Sequence, residues 1–148
     1  MLARRELCTA QVVNKLKLKG FCDEEIEPII KKLQQEGAIN DERTALENAH
    51  RFAHVKIYGR FRALKELKRI GIDQKQSEAA VAHVYNELDE QVLLNLALTR
   101  RLKGQIDSPK QCRRLFNYLL RQGFDRGMAI SALKPLTSKA VDAWLMKE

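Results

Sequence analysis

The chain of 148 residues has few of the features that mark several large classes of protein. Its three cysteines form no Cys-x-x-Cys pair, so neither a zinc ribbon nor a disulfide framework is indicated. Its apolar runs are shorter than the roughly 18 residues that a membrane span needs, and the first residues lack the apolar stretch of a secretory signal. With three prolines and 45% hydrophobic residues, the composition is unlike that of a disordered chain. We therefore expect a folded protein of a reducing cytoplasm, with no membrane association.

The charge is positive and unevenly distributed. The chain has 27 Lys and Arg against 19 Asp and Glu, a net charge of +8 at pH 7. Residues 88–148 hold eleven basic and six acidic residues, a net of +5, whereas residues 1–40 carry +1 and residues 41–87 carry +2. A field of this sign favours either a polyanionic partner or an acidic protein surface, and composition fits both.

Apolar residues recur with the period of an α-helix along the whole sequence. Val12 and Leu16 are spaced to share one helix face, as are Ile26, Ile30 and Leu33. No segment alternates between apolar and polar residues as a half-buried strand would. The sequence therefore predicts an all-α fold.

Three glycines punctuate this helical pattern at nearly equal intervals. Gly20, Gly71 and Gly123 each follow a basic amphipathic segment, with a leucine four residues earlier and a large apolar residue directly afterwards. A glycine in the left-handed conformation closes a helix in this way. Asp73 and Asp125 then stand where the next helix needs an N-cap. The alignment indicates an internal repeat of about 50 residues.

Each repeat is predicted to contain three helices. The predicted boundaries are 1–40 for the first repeat, 41–88 for the second, 89–136 for the third and 137–148 for a C-terminal helical segment. In the first repeat the first helix is short, within Leu2–Cys8, the capping Asp23 is shifted by one position, and Pro28 makes the third helix start late or bend. Because three such helices cannot bury their apolar faces alone, we expect the repeats to stack into an elongated, curved array.

The later helices can be given approximate bounds. Asp41 is expected to cap a helix that runs to about Ile57. The further predicted helices are Arg60–Ile70, Gln74–Leu88, Asp89–Lys103, Pro109–Gln122 and Arg126–Lys134, with Ser108 as the cap before Pro109 and Pro135 ending the last of them.

Residues that suit catalysis or metal binding are few. His50 and His54 have the i, i+4 spacing of two metal ligands, but a third ligand is not evident, and ordinary surface or half-buried histidines are the stronger interpretation. Cys112 stands beside two arginines, yet a nucleophilic cysteine also needs a base and an oxyanion donor, so a small core thiol is favoured. We expect no enzyme activity, no metal and no cofactor.

Basic residues recur on the predicted second helix of each repeat. They are Lys15, Lys17 and Lys19 in the first repeat, Arg60, Arg62, Lys65, Lys68 and Arg69 in the second, and Arg113, Arg114 and Arg121 in the third. A surface that follows a phosphate backbone would use such a pattern, although long basic side chains also coat helical arrays that bind nothing acidic. Four aromatic residues lie near these basic residues in the sequence, namely Tyr58, Phe61, Phe116 and Tyr118. Tyr58 and Phe61 are candidates for base stacking, whereas Phe116 is expected in the core.

Several segments resemble the bacterial RecX family of recombinase regulators. The residues that carry the resemblance are the opening LARRELC, Lys19-Gly20-Phe21, the run from Ala38 to Arg43, Tyr58-Gly59 with Glu66-Leu67 and Gly71-Ile72, and Ser108-Pro109-Lys110 with Arg121-Gln122-Gly123-Phe124. Each motif alone is weak, but three in order at the right spacing are specific. The resemblance covers residues 2–134.

This resemblance implies a non-enzymatic regulator that binds RecA and RecA filaments on single-stranded DNA. Such proteins lie in the filament groove and inhibit ATPase activity, filament growth and strand exchange in DNA recombination and repair. The implied partners are RecA and its nucleoprotein filament, single-stranded DNA and, more weakly, double-stranded DNA, and a monomer is expected. The candidate contact residues are Arg60, Arg62, Lys65, Lys68, Arg69, Arg100, Arg101, Arg113 and Arg114. Either DNA phosphates or acidic patches of the recombinase suit these side chains.

Two other functions fit a basic helical protein. A stand-alone DNA-binding protein of helix-turn-helix type would place one helix in the major groove, but the predicted third helices, such as Gln74–Leu88, have acidic or neutral polar faces. A structural adaptor without a nucleic-acid role would differ from both in its salt dependence, because phosphate binding weakens steeply as salt rises.

Overall fold

The computed structural model describes residues 5–102 and 104–137, and these residues are predominantly helical. Its α-helices are α1 (Thr9–Leu18), α2 (Asp23–Gln35), α3 (Asp41–His54), α4 (Arg60–Ile70), α5 (Gln74–Tyr85), α6 (Glu90–Arg101), α7 (Pro109–Arg121) and α8 (Arg126–Leu133), followed by a short 3-10 helix, Lys134–Leu136. No strand forms within the described ranges, where Ile106 and Thr137 make one isolated parallel bridge. The predicted all-α class is confirmed. None of the described helices is long and apolar enough to cross a membrane.

The glycine caps predicted from the sequence are present at three helix ends. Gly20, Gly71 and Gly123 have φ angles of +96°, +108° and +95°. In each case the amide after the glycine donates a 3.1 Å hydrogen bond to the carbonyl of the leucine four residues before it, at Leu16, Leu67 and Leu119. This bond is the mark of a Schellman cap. The division into three repeats and their stacking into an elongated, curved array stay predictions.

Three of the predicted N-caps are also confirmed. Asp73, Ser108 and Asp125 each accept a hydrogen bond from the backbone amide three residues later, which satisfies a donor that the first helical turn leaves without a partner. Pro109 occupies the first turn of α7, and Pro135 lies just beyond the end of α8, as predicted.

The prediction that Asp41 caps its own helix is wrong. The side-chain oxygen of Asn40 accepts from the amide of Arg43 at 3.1 Å, so Asn40 is the N-cap of α3. The carboxylate of Asp41 instead accepts from the amide and the hydroxyl of Thr9, at 2.7 and 3.0 Å. Because the first amides of a helix have no partner within it, Asp41 serves the start of α1. Helix α3 also ends at His54 rather than at Ile57.

The first predicted repeat differs from the structure in three further respects. Residues 5–8 are not helical, so no helix ends at Cys8, and residues 1–4 lie outside the described ranges. Helix α2 begins at Asp23, ahead of Pro28, and therefore does not start late. The prediction that Asp23 caps this helix is also wrong: Cys22 takes the cap position, because the Glu25 carboxylate accepts from the Cys22 amide at 3.2 Å and fixes the start of the helix there.

Two helices end earlier than predicted. Helix α5 ends at Tyr85, where the amide of Leu88 turns back to the Tyr85 carbonyl, and α6 ends at Arg101. Lys103 and the predicted C-terminal helical segment beyond Thr137 lie outside the described residues.

The described chain divides into two compact units. The first contains the residues up to His50 together with Leu64–Val84. One core cluster of this unit consists of buried Ile26, Ile30 and Ile39, with Val12, Val13, Leu16 and Leu33 packed against it. Cys8 is also fully buried, and its thiol donates a 3.2 Å hydrogen bond to the carbonyl of Ile70.

The second unit contains Arg51–Ala63 and the residues from Tyr85 onward. Its buried side chains include Phe116 and Phe124, so the expectation that Phe116 belongs to the core is confirmed. The amide of Gly59 donates to the carbonyl of Gln122 at 2.6 Å, and the amide of Phe61 donates to that of Gly123 at 3.1 Å. Backbone hydrogen bonds therefore join the start of α4 to the end of α7.

Candidate nucleic-acid interface

Three of the five basic residues singled out on α4 are held by neighbouring side chains. The guanidinium of Arg60 lies 2.8 Å from the Glu90 carboxylate and donates to the side-chain oxygen of Asn86 at 2.9 Å. Arg69 forms a 2.8 Å ion pair with Glu66. The guanidinium of Arg62 lies 4.0 Å from the centre of the Tyr58 ring. Arg60 therefore contributes to the packing of its unit, and part of its charge is neutralised.

The two lysines of α4 differ from these arginines. Lys65 and Lys68 are exposed, and within the described residues neither forms an ion pair. They remain the α4 side chains best placed to bind an anionic partner.

The basic residues of the second unit come together along α7. A groove of about 360 Å³ runs along this helix beside the last residue of α6. We call it the arginine groove, and its lining residues are Arg101, Gln111, Arg114, Leu115, Asn117, Tyr118 and Arg121. Leu115 is buried and belongs to the core side of the groove, whereas the three arginines are exposed.

The arginine groove is strongly electropositive. It is lined by three arginines and no carboxylate, and among the described residues none of these arginines forms an ion pair. Arg101 packs its guanidinium over the ring of Tyr118, 4.4 Å from the ring centre. A guanidinium in this position keeps its charge and donors while its plane is held by the aromatic ring. The groove is therefore suited to binding an anion with several oxygen atoms.

Only some of the predicted contact residues line this groove. Arg101 and Arg114 do so, whereas Arg100 and Arg113 are exposed on α6 and α7 outside its lining. Sequence reasoning grouped Arg121 with the recurring basic residues but not with the candidate contacts, and it missed Gln111 and Asn117. The helix period could have grouped most of these residues, because positions 111, 114, 118 and 121 share one face of a helix.

The residues considered for metal binding and catalysis have ordinary surroundings. His50 and His54 are exposed on α3, and the described residues contain no group of three or more potential ligands that could hold a metal ion. Cys112 is fully buried in α7, which fits the interpretation of a small core thiol.

The motif residues that carried the resemblance have structural roles. Gly20, Gly71 and Gly123 close helices, as described above. The ring of Tyr58 stacks on Phe52 at 5.5 Å between ring centres, and its carbonyl accepts a hydrogen bond from the Tyr85 hydroxyl. Gly59 packs so closely on the backbone of Gly123 that a side chain at either position would overlap its neighbours.

Comparison with known proteins points to one group of relatives. No protein-family model matches the chain. The chain is 30% identical over 140 residues to the Regulatory protein RecX of Legionella pneumophila, a match that covers 93% of this chain and 91% of that protein. It is 29% identical over 138 residues to the Regulatory protein RecX of Amycolatopsis mediterranei, covering 90% of this chain and 77% of that protein.

A solved structure shares the fold. A crystal structure of regulatory protein RecX matches this one with a TM-score of 0.72 at 23% sequence identity. The match covers 87% of this chain, and the chain spans 64% of the length of that structure.

Proposed function

The chain belongs to the RecX family of regulatory proteins, and from this premise we propose that it regulates the recombinase RecA. The regulator binds RecA and RecA filaments on single-stranded DNA, lies in the filament groove, and inhibits ATPase activity, filament growth and strand exchange. It acts as a monomer in the bacterial cytoplasm and catalyses no reaction itself. The similarity over 93% of the chain is the observation that carries this proposal.

The distribution of charge supports the proposal. Two separate sets of basic side chains lack a carboxylate partner among the described residues, namely Lys65 and Lys68 on α4 and the arginines of the arginine groove. A filament of RecA on DNA offers both phosphates and acidic side chains to such residues. Arg62 and Arg69, although partly engaged, lie on the same helix as the two lysines and add to its positive charge.

The first test is the DNA-dependent ATPase activity of RecA on single-stranded DNA, measured with this protein at sub-stoichiometric dose. We expect the rate to fall. Replacing Lys65 and Lys68 by glutamine should raise the dose that halves the rate by several-fold, because two uncompensated charges are lost from α4. Arg60 is unsuitable for this test, since its removal would leave Glu90 and Asn86 without their partner.

The matched control replaces Lys32 and Lys75 by glutamine. Both lysines are exposed in the same unit and form no ion pair within the described ranges, so the net charge changes equally. An equal loss of inhibition in both double variants would show that overall charge, and not α4, is responsible. An unchanged ATPase rate with the wild-type protein, combined with tight binding to duplex DNA, would overturn the regulator proposal and favour the helix-turn-helix alternative.

A further inference from the structure

We propose that the arginine groove is a binding site for single-stranded DNA that takes two phosphates of the strand and an adjoining base. This inference rests on the proposed function and deepens it, because it assigns the DNA contact of the regulator to one surface of the second unit. Of the nine candidate basic residues, the proposal assigns direct contact with DNA to Arg101 and Arg114, which line the groove, and not to the other seven.

The two phosphates would be held by the arginines of α7. Arg114 and Arg121 are seven residues apart, which corresponds to about two turns and roughly 10 Å along the helix. Both line the groove, both are exposed, and within the described part of the chain neither has a carboxylate partner. Guanidinium groups bind phosphate oxygens through paired hydrogen bonds, so two of them along one helix suit successive positions of a strand.

The base would be held at the end of the groove where α6 meets α7. The guanidinium carbon of Arg101 lies over the Tyr118 ring, 4.4 Å from its centre, and Arg101 remains exposed. Unpaired bases stack on aromatic rings and on the planes of arginine side chains. The side-chain amides of Gln111 and Asn117 line the same groove. The oxygen of Gln111 already accepts from the backbone amide of Asp107 at 3.1 Å, so Gln111 offers a base edge mainly its amino group, whereas Asn117 carries both a donor and an acceptor.

These features favour nucleic acid over an acidic protein segment. Arginines alone would suit carboxylates as well as phosphates. The Arg101 guanidinium over the Tyr118 ring, together with the two side-chain amides, adds a surface that suits a base, and an acidic peptide has no base to place there. Single-stranded DNA fits better than a duplex, because its bases are free to leave the stack.

The test measures binding of a fluorescein-labelled oligothymidylate by anisotropy, with the full chain and without RecA. Replacing Arg114 and Arg121 by glutamine should weaken binding about tenfold or more. The plot of log affinity against log salt should also become shallower by about 1.4, since each phosphate contact on a single strand contributes about 0.7. The control replaces Lys110 and Lys134 by glutamine. Both are exposed lysines of the same unit outside the groove, so this variant should leave the slope of log affinity against log salt nearly unchanged.

A second arm tests the stacking surface. An abasic strand of equal length keeps the phosphates and lacks the bases, and it should bind the wild-type protein at least about fivefold more weakly. Arg101→Lys keeps the charge but loses the planar group, so it should remove most of this preference for bases while retaining the salt slope. Equal binding of both strands by the wild-type protein would overturn the base contact.

Competition and the ATPase assay separate the remaining outcomes. Polyglutamate and an unlabelled oligothymidylate of equal charge are compared as competitors for the labelled strand. If polyglutamate displaced the labelled strand at the same concentration as the unlabelled oligothymidylate, the groove would be assigned to an acidic protein surface. Equal weakening by the groove variant and the lysine control would also overturn the site. Loss of DNA binding in the groove variant, while the wild-type protein leaves RecA ATPase activity unchanged, would support this site and refute the proposed regulation.

Discussion

Tyr85 shows how much a single residue fixes in the second unit. Its side chain is 1% exposed, and its hydroxyl donates a 2.8 Å hydrogen bond to the carbonyl of Tyr58. Burial raises the pKa of this hydroxyl above its ordinary value, with Glu90 adding to the rise and Arg60 opposing it. The folded protein therefore keeps the Tyr85 proton at a pH where the unfolded chain has lost it.

This raised pKa predicts a loss of stability in alkali. The contribution is fully present below pH about 10, the pKa of tyrosine in an unfolded chain, and is lost as pH rises toward the higher pKa of the folded state. Tyr85→Phe should cost about 1 kcal/mol at neutral pH through the lost hydrogen bond. Above pH 10 the gap between the two proteins should narrow. Denaturant unfolding at pH 7 and at roughly pH 10.5 measures both quantities, and a constant gap would contradict the prediction.

The partners of individual arginines could not be predicted from the sequence. Arg60 was grouped with the DNA-binding candidates because of its charge and its neighbours along the helix. Its actual partner, Glu90, lies 30 residues away. Only the packing of α4 near the start of α6 brings the two together. The same holds for Arg101 and Tyr118, which meet because α6 and α7 pack side by side in one unit.

At the scale of helices, α4 and α7 meet in a closely packed joint in the second unit. A methyl group at Gly123 would overlap the backbone and Cβ of Arg62, and one at Gly59 would overlap the carbonyl of Gly123. Because hydrogen bonds join these segments as well, neither can move away without breaking them. Glycine at position 123 is therefore needed both for its φ angle of +95° and for its small size.

Two glycine variants separate these two needs. Gly104 has a φ angle of +90°, and no atom of the described residues lies within 4 Å of an added methyl group. Gly104→Ala should cost about 1 kcal/mol of unfolding free energy, from backbone strain alone. Gly123→Ala should cost about 1–3 kcal/mol more, because the methyl group overpacks the joint. Denaturant unfolding gives both values, and equal losses would show that the joint yields without cost.

The helix ends differ in how well the sequence predicts them. The caps at Gly20, Gly71 and Gly123 depend on bonds within a single turn, so local residue order is enough to place them. The start of α3 was misplaced by one residue because Asn40 and Asp41 are both good caps. Asp41 is occupied by Thr9, which lies 32 residues earlier in the chain, and no local rule reveals that contact. Among the residues that line the arginine groove, Arg101 and Arg114 are candidates from the sequence because of their charge, and the helix period of α7 would have added Arg121. No local rule places Arg101 of α6 beside that face of α7.

For the molecule as a whole, the net charge of +8 acts at longer range than any single contact. A basic protein approaching a polyanionic filament is steered by the summed field, which raises the association rate and is weakened by salt. Side chains that touch the partner act mainly on the dissociation rate. The two effects can be separated because the chain has exposed lysines both inside and outside the candidate contact surfaces.

We therefore expect two kinds of charge variant to differ in their kinetics on immobilised RecA filaments. Replacing Lys110 and Lys134 by glutamine should slow association modestly and leave dissociation unchanged, because both lysines lie outside the arginine groove. Replacing Arg114 and Arg121 removes the same charge from the groove and should mainly accelerate dissociation. For the wild-type protein, the association rate constant should fall roughly tenfold between low and physiological salt. If both double variants changed association alone, the arginines would contribute only to the long-range field, and direct contact of the groove with the filament would be refuted.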